Sequence, residues 1–307
     1  MNILAITTFN RLHFIRSLIR SFVNTIDTKN NQWLIIIADD GSTDGTHDYL
    51  DSLEIDNLSV EVIRNNRQGV HHQFNTIVKA LEKKSYDFCF KCDDDIEFLR
   101  PGWDKLYIDA IRETGFDHLC HFDIRWRPEK ILKKPITRGS LVSYCRAKDV
   151  QGAFFTLSPP VIRDVGFMDT ENFGFRGVGH VDYTIRAARA GYNHPEHPFD
   201  VSFSNDYIGH QKGPYASAMN RHLVNALESD KESKRKYELI QDNKRVYIDF
   251  FDNPPSLTTN LERDLLITRL EALEHEKQWY ESTYGHQPRW FVRLGKLLFK
   301  ILRGRKP

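Results

Sequence analysis

Phe90-Lys91-Cys92-Asp93-Asp94-Asp95-Ile96 sets three consecutive carboxylates at the end of what reads as a buried strand, Tyr86 to Lys91. Strand side chains alternate between faces, so Asp93 and Asp95 are expected on one side and Asp94 on the other. Such a cluster repels itself unless a cation or a dense set of donors neutralises it, and oxygen ligands suit a hard divalent ion, Mn2+ or Mg2+. Asp93, Asp94 and Asp95 therefore read as a metal site. A solvated acidic turn with capping duty is the plain alternative.

Working outward, strands and helices alternate through the first half. Asn2 to Thr8 is a short apolar run, and Leu12, Ile15, Leu18, Ile19 and Phe22 follow at helical spacing. Trp33 to Ala38 is a continuous, largely β-branched run, as expected for a strand covered on both faces, and it leads into Asp39-Asp40-Gly41-Ser42-Thr43-Asp44. A helix through Leu50 and Leu53, a strand at Val60 to Ile63 and a helix at Val70 to Leu81 complete the pattern. The fold class is α/β, with a mainly parallel sheet between helices, and ligands of such sheets bind beyond the carboxyl ends of the strands. Thr8 to Arg11, Asp39 to Asp44 and Asp93 to Asp95 all fall there. Capping and turn formation alone would also account for Asp39 to Asp44.

Composition narrows the classes. The chain has 307 residues, with 43 Lys or Arg and 42 Asp or Glu. Seven of the basic residues lie between His286 and Pro307, which holds no acid, so the remainder is mildly acidic. That argues against a nucleic-acid surface across the main domain. No apolar run reaches the roughly 18 residues of a membrane span and no signal peptide pattern opens the sequence, so a cytoplasmic location is expected. Cys89 and Cys92, at odd separation in one strand, point to opposite faces and read as buried small hydrophobes, as do Cys120 and Cys145.

The ordered stretches Thr7-Thr8-Phe9-Asn10-Arg11, Asp39-Asp40-Gly41-Ser42-Thr43-Asp44-Gly45-Thr46, Asn66-Arg67-Gln68-Gly69-Val70 with Asn75, and Asp93-Asp94-Asp95 resemble the signposts of family 2 glycosyltransferases with the GT-A fold. Gly152-Ala153-Phe154-Phe155, Val165-Gly166-Phe167-Met168-Asp169 and Gly179-His180-Val181-Asp182-Tyr183-Thr184-Ile185-Arg186 continue it, over residues 1 to about 215. The resemblance implies transfer from a nucleotide-diphosphate sugar, a UDP-sugar in the first instance, to a hydroxyl of a glycan or lipid-linked acceptor, with inversion. It implies donor binding by Thr8, Asn10, Arg11, Asp39, Asp40, Ser42, Arg67, Asp93 and Asp94, with Thr8 and Asp40 at the base and ribose. The triplet would hold the metal that bridges the diphosphate.

Two departures stand out. Relatives often carry Arg before the Asn that matches Asn75, and this chain has Phe74. The family's catalytic carboxylate comes from a Glu-Asp pair at a helix start, whereas here His180 takes the Asp position and Asp182 a second acidic one; Asp182 is the first expectation for the general base and His180 the second. A late His joins the metal shell in several GT-A enzymes, and His210, on an apparent loop from Asn205 to Gly213, is the candidate. Arg125 to Gly139 and Lys212 to Tyr215 are candidate gating loops.

Residues 1–220 are thus expected to form the catalytic domain, 221–285 a helical extension with helices at 223–248 and 257–284, and 286–307 a basic amphipathic tail. In the tail, Arg289, Arg293, Lys296, Lys300 and Arg303 segregate from Trp290, Phe291, Leu294, Leu297 and Leu298, a pattern suited to an anionic membrane surface through residues 288–306. Rival readings are a nucleotidyltransferase making nucleotide sugars and an inactive nucleotide-sugar-binding protein.

Overall fold

The computed structural model describes residues 1–28, 31–126, 128–174, 177–211 and 230–251. Its central sheet has the order β3-β2-β1-β4-β8, formed by β1 (Asn2–Thr8), β2 (Trp33–Asp39), β3 (Ser59–Arg64), β4 (Phe88–Asp93) and β8 (Phe154–Leu157). The first four run parallel, and β8 closes the sheet antiparallel to β4. Every residue of β1 and β2 is buried. This explains their near-continuous apolar sequences, because helices cover both faces of a parallel sheet.

Alternation divides the core in two. Ile3, Ala5, Ile36, Ala38 and Cys89 face a layer that includes α3 (Val70–Leu81), α5 (Pro159–Val165) and α7 (Gly179–Arg189). Leu4, Ile6, Ile35, Ile37, Phe90 and Cys92 face α1 (Leu12–Val23) and α4 (Trp103–Thr114). Cys89 and Cys92 do lie on opposite faces, and all four cysteines are buried free thiols. The second layer is anchored by Trp103, fully buried, with ring centroids 4.3 Å from Phe98 and 4.9 Å from Phe90.

Register sets the functional edge. Thr8 pairs with Asp39 across β1 and β2, and Thr7 with Asp93 across β1 and β4, so the carboxyl ends of three strands finish in one row. After β4 the chain turns at Asp94 and Asp95 into β5 (Ile96–Phe98), which pairs antiparallel with β10 (Ile208–His210). A small three-stranded sheet of β6 (Ile136–Arg138), β7 (Leu141–Ser143) and β9 (Asp200–Val201) completes the strands. The remaining helices are α2 (Thr46–Asp51), α6 (Thr170–Phe173) and α8 (Asp230–Asp242).

Residues 1–211 form one compact unit together with 237–254; the other unit comprises 212–236 and 255–307. The helix expected over 223–248 stops at Asp242. Arg189 donates to the carbonyls of Asn243 and Ile240, and Asn243 Oδ1 accepts from Arg245 N, so the last turn is capped and cannot continue. The chain then lies along the turn after α5: Phe167 N donates to Ile248 O at 3.0 Å and Ile248 N to Val165 O at 3.2 Å. Gly166 has φ +70° and a Cβ there would overlap Ile248 O, so this contact requires glycine. The expected helix at 257–284 and the tail lie outside the described residues.

His118 reports on this core. It is fully buried, with Nδ1 3.0 Å from Thr156 O and Nε2 3.0 Å from Thr184 Oγ1, a pattern satisfied by the neutral ring. Burial pushes its pKa down to about 4. A folded value below the unfolded one means that its contribution is complete above about pH 6.5 and is lost as pH falls toward 4, a change of about 3 kcal/mol. Urea unfolding between pH 7 and 4 is expected to show that slope, and His118→Gln a shallower one.

Candidate active site

The acidic turn is neutralised from within the chain. Arg11, in the loop after β1, donates from Nη1 to Asp94 Oδ1 at 2.6 Å and from Nη2 to Asp95 Oδ2 at 3.2 Å. Thr8 Oγ1 donates to Asp94 Oδ2 at 2.8 Å. Burial pushes the Asp94 carboxyl up to about 7, against the pull of the Arg11 guanidinium. Asp93 stands apart. It accepts from Lys91 Nζ and from Thr7 Oγ1, and Lys91 also donates to Gly152 O at 3.1 Å. The alternation expected for the triplet therefore does not hold. The strand ends at Asp93, and the turn carries Asp94 and Asp95 to one guanidinium.

Side-chain exposure separates the three further: Asp93 is 33% exposed, Asp95 12% and Asp94 3%. Asp93 and Asp95 remain open enough to meet a ligand. Asp94 is committed to Thr8 and Arg11.

The Asp39–Asp44 stretch divides its work. Asp39 is fully buried; its Oδ1 accepts from Ser42 N and Ser42 Oγ, and its Oδ2 from Arg64 Nη1 at 2.8 Å. It shapes the turn. Ser42 Oγ accepts from Asn10 N, and Asn10 Oδ1 accepts from Thr43 N at 2.6 Å, which fixes Asn10 at φ 49°. Asp40 receives Gln68 N and Gly69 N, both at 2.8 Å, and Arg67 Nη1 at 3.4 Å. Burial raises its pKa and these donors oppose the rise. The Arg67 guanidinium lies 3.5 Å from the centroid of the Phe9 ring, making a flat cationic surface beside Asp40. Phe74, at the position where an Arg was expected, is a core residue packed on Phe155 and Tyr183.

His210 lies at the end of β10, opposite Ile96, rather than on a loop. Gln211 N donates to Asp95 O at 2.8 Å, and Gln211 Nε2 to Phe14 O, Asp94 O and Ile96 O, so this strand braces the acidic turn. His210 Nδ1 is 3.1 Å from Asp123 Oδ2. The Asp123 carboxylate needs a donor there, so the ring proton belongs on Nδ1. Nε2 is buried, carries the lone pair and has no hydrogen-bond partner among the described residues. Burial disfavours the Asp123 charge, but hydrogen bonds from His210 and Arg125 outweigh it and hold the carboxyl well below the usual range. Arg125 belongs to the first expected gating loop and packs so closely over Gly209 that a Cβ there would overlap it; Lys212 to Tyr215 lies outside the described residues.

Of the two candidate bases, Asp182 is almost fully buried and accepts from Arg186 Nε at 2.7 Å. Arg186 donates from its other two nitrogens to Val165 O, Phe167 O and Val246 O, so the pair pins α7 to the turn after α5. His180 Nδ1 and Nε2 lie 3.1 and 3.2 Å from Gly177 O and Val150 O. Burial lowers its pKa to about 4, and the ring packs against Gly152, whose carbonyl accepts from Lys91 Nζ.

Sequence reasoning missed Asp123, Lys91 and Gln211. No motif surrounds Asp123, and Lys91 reads as a misplaced charge in an apolar strand. Among the described residues, no three His, Cys, Asp or Glu side chains form a closed metal cluster. Asp95, in the turn before β5, and His210, on the strand paired with β5, nonetheless supply an oxygen and an aromatic nitrogen donor. The Asp123–His210 bond is the outer-shell support usual for metal-bound imidazole. A hard cation shared with a diphosphate needs only one or two protein carboxylates, so this donor set fits such an ion.

The carboxyl ends of the parallel strands thus carry an acidic turn and a buried Asp beside an Arg–aromatic stack, at the edge where α/β folds of this kind bind their ligands. Residues 3–149 match glycosyl transferase family 2. The uncharacterised glycosyltransferase R363 of Acanthamoeba polyphaga mimivirus is 26% identical over 192 residues, 62% of this chain and 72% of that protein. The mannosyltransferase PcManGT from Pyrobaculum calidifontis, solved with GDP-Man and Mn2+, aligns over 99% of this chain and 85% of its own at 10% identity, with TM-score 0.50. GalNAc-T7, solved with UDP, GalNAc and Mn2+, aligns over 77% of this chain and 49% of its own at 14% identity, with TM-score 0.52. The similarity to glycosyl transferase family 2 is confined to residues 3–149, and together with the GT-A fold it marks the chain as a glycosyltransferase.

Replacing Asp182 by Ala leaves the Arg186 charge buried without its carboxylate, and a stability loss of about 3–5 kcal/mol is expected in urea unfolding.

Proposed function

We propose that this glycosyltransferase moves a sugar from a nucleoside-diphosphate sugar, UDP-linked in the first instance, to a hydroxyl of a glycan or lipid-linked acceptor, with inversion at the anomeric carbon. The observation that carries the reading is the meeting of Thr8, Arg11, Asp40, Asp93, Asp95 and His210 at one sheet edge. The Arg67–Phe9 stack offers a flat face to a nucleobase, and the buried Asp40 holds Arg67 and the Gln68–Gly69 backbone beside it. Asp93, the most exposed of the triplet, faces the ribose or the sugar. Asp95 and His210 Nε2 are the ligands for Mn2+ or Mg2+, which when bound stabilises the departing diphosphate as a Lewis acid. Arg11 and Arg67 are the cations available to its remaining charge.

His180 is the better candidate for the base. Asp182 is 2% exposed and paired with Arg186, whereas His180 is neutral at pH 7 and accepts the proton of an attacking hydroxyl once one ring nitrogen turns from its carbonyl, Gly177 O or Val150 O. Asp93 beside it stabilises the imidazolium that results. General-base removal costs about 10² to 10⁴ in rate, so His180→Ala is expected to lower kcat by that factor while leaving donor binding unchanged, with circular dichroism to establish that the variant is folded.

Incubation with nucleotide sugars and Mn2+ is expected to release a nucleoside diphosphate, and Asp95→Ala to abolish that release with the fold intact by circular dichroism. Pyrophosphate release would indicate nucleotidyl transfer instead. Full release from Asp95→Ala would remove the metal site.

The tail, outside the described residues, motivates the lipid-linked acceptor. Among the described residues no helix is long and apolar enough to cross a membrane. Segregation of five cations from the apolar residues of 288–306 suits a helix lying on an anionic surface. Co-sedimentation with anionic liposomes is expected to drop on removal of residues 286–307; equal binding would end the membrane proposal.

A further inference from the structure

We infer that Phe203 is a fixed aromatic platform for the saccharide of the acceptor, held on the segment that leads from β9 to His210. This rests on the glycan-acceptor reading of the function and adds a surface on which that acceptor lies.

Two independent observations single out Phe203. Its ring is 72% exposed, more than any other large apolar side chain among the described residues. Its backbone is left-handed, with φ 66° and ψ 7°, a region that L side chains enter at a cost and that glycine and asparagine enter most readily. The other non-glycine residues with positive φ among those described are Asn10, Asn57 and Arg67. A phenylalanine at such a place gains little packing to offset the backbone strain or the contact of its ring with water.

The surrounding frame imposes the conformation. Ser202 N donates to Ser140 O at 2.8 Å, and Asp206 N donates to Phe203 O at 2.9 Å, which closes the turn. Ser204 Oγ donates to the buried Asp200, while the Asn205 side chain accepts from Ile124 N and donates from Nδ2 to Phe122 O. With its neighbours tied to the rest of the domain, residue 203 is held at one place on the surface, and a ligand meets a backbone already ordered.

The occupant follows from what surrounds the ring. Asp206, on the same turn, is exposed, and Glu113 Oε2 accepts from Ser140 Oγ at 2.6 Å, on the residue to which Ser202 is bonded. Two carboxylates so placed oppose an anionic lipid surface. They suit a saccharide, whose hydroxyls donate to carboxylates while the C–H groups of one sugar face lie against the negative face of an arene. The segment that carries Phe203 runs on into β10, which ends at His210 and is followed by Gln211, the brace of the acidic turn. A platform on this segment therefore keeps a fixed relation to the site through that strand.

The test places the full chain on an immobilised array of oligosaccharides of hexoses and N-acetylhexosamines in α and β linkage, with calorimetric titration of UDP and GDP in Mn2+ alongside. The parent is expected to bind a subset of the array, Phe203→Trp to keep that binding, and Phe203→Asn to weaken it about tenfold or more. Nucleotide binding is expected to be equal in all three. Urea unfolding separates recognition from structure: Phe203→Asn relieves the left-handed backbone and removes little buried surface, so it is expected to be at least as stable as the parent. Unchanged array binding by Phe203→Asn, or no saccharide binding by a parent that binds nucleotide, overturns the inference and leaves the donor reading standing. A Phe203→Asn defect confined to binding of phosphatidylserine vesicles assigns the ring to a lipid surface and overturns it too. A parent that binds neither UDP nor GDP removes the donor reading, whatever the array shows.

Discussion

Charge compensation at the end of β4 is the constraint on which the rest of the site depends. Three carboxylates in succession, two of them deeply shielded, need matching cations within hydrogen-bond reach, and the fold provides two that are remote from each other in character. Lys91 rises from the buried middle of β4 to Asp93, while Arg11 comes across from the loop after β1 to Asp94 and Asp95. Thr7 and Thr8, at the end of β1, add a hydroxyl to each group. The strand order β2-β1-β4 makes this possible, because β1 is the immediate neighbour of β4 and ends level with it.

The far side of the crevice is held by a second buried charge system. Arg186 has every nitrogen engaged, by Asp182 within its own helix and by carbonyls of the turn after α5 and of the returning segment near Val246. Fixing α7 in this way fixes His180 at its first turn against Val150 and next to Gly152. The two systems meet where Lys91 contacts Gly152 O, so that the acid-bearing strand and the His-bearing helix are registered through one short loop. A third pair, Asp123 with His210, orients the imidazole whose other nitrogen has no hydrogen-bond partner among the described residues.

The sheet was legible because its signal is redundant. Uninterrupted apolar runs such as Trp33–Ala38 and helical spacing such as Leu12 to Phe22 each repeat one message several times, and the strands ended within two residues of their expected limits. The donor-side residues were legible for a related reason: each follows a strand, and strand ends converge in this topology. Single-residue roles were less so. Asp182 looked like a free acid at a helix start, yet the i to i+4 spacing to Arg186 made it equally a partner for that cation, and only burial decides between the two. His210 looked like a loop residue because three residues of strand paired with three others carry no periodicity to detect.

Local pattern by itself determined the α/β class, the succession of elements as far as α3 and β4, and the edge of the sheet at which polar residues gather. These follow from hydrophobic period, which every residue of an element reports. The tertiary structure alone decided which acid faces which base: that the triplet splits at its first member, that Arg11 covers the other two, that Asp123 supports His210 over a separation of 87 residues, and that Asp182 is held inside. Pairing of charges is a property of distance in space and of shielding from water, and neither quantity is written in the order of residues along the chain.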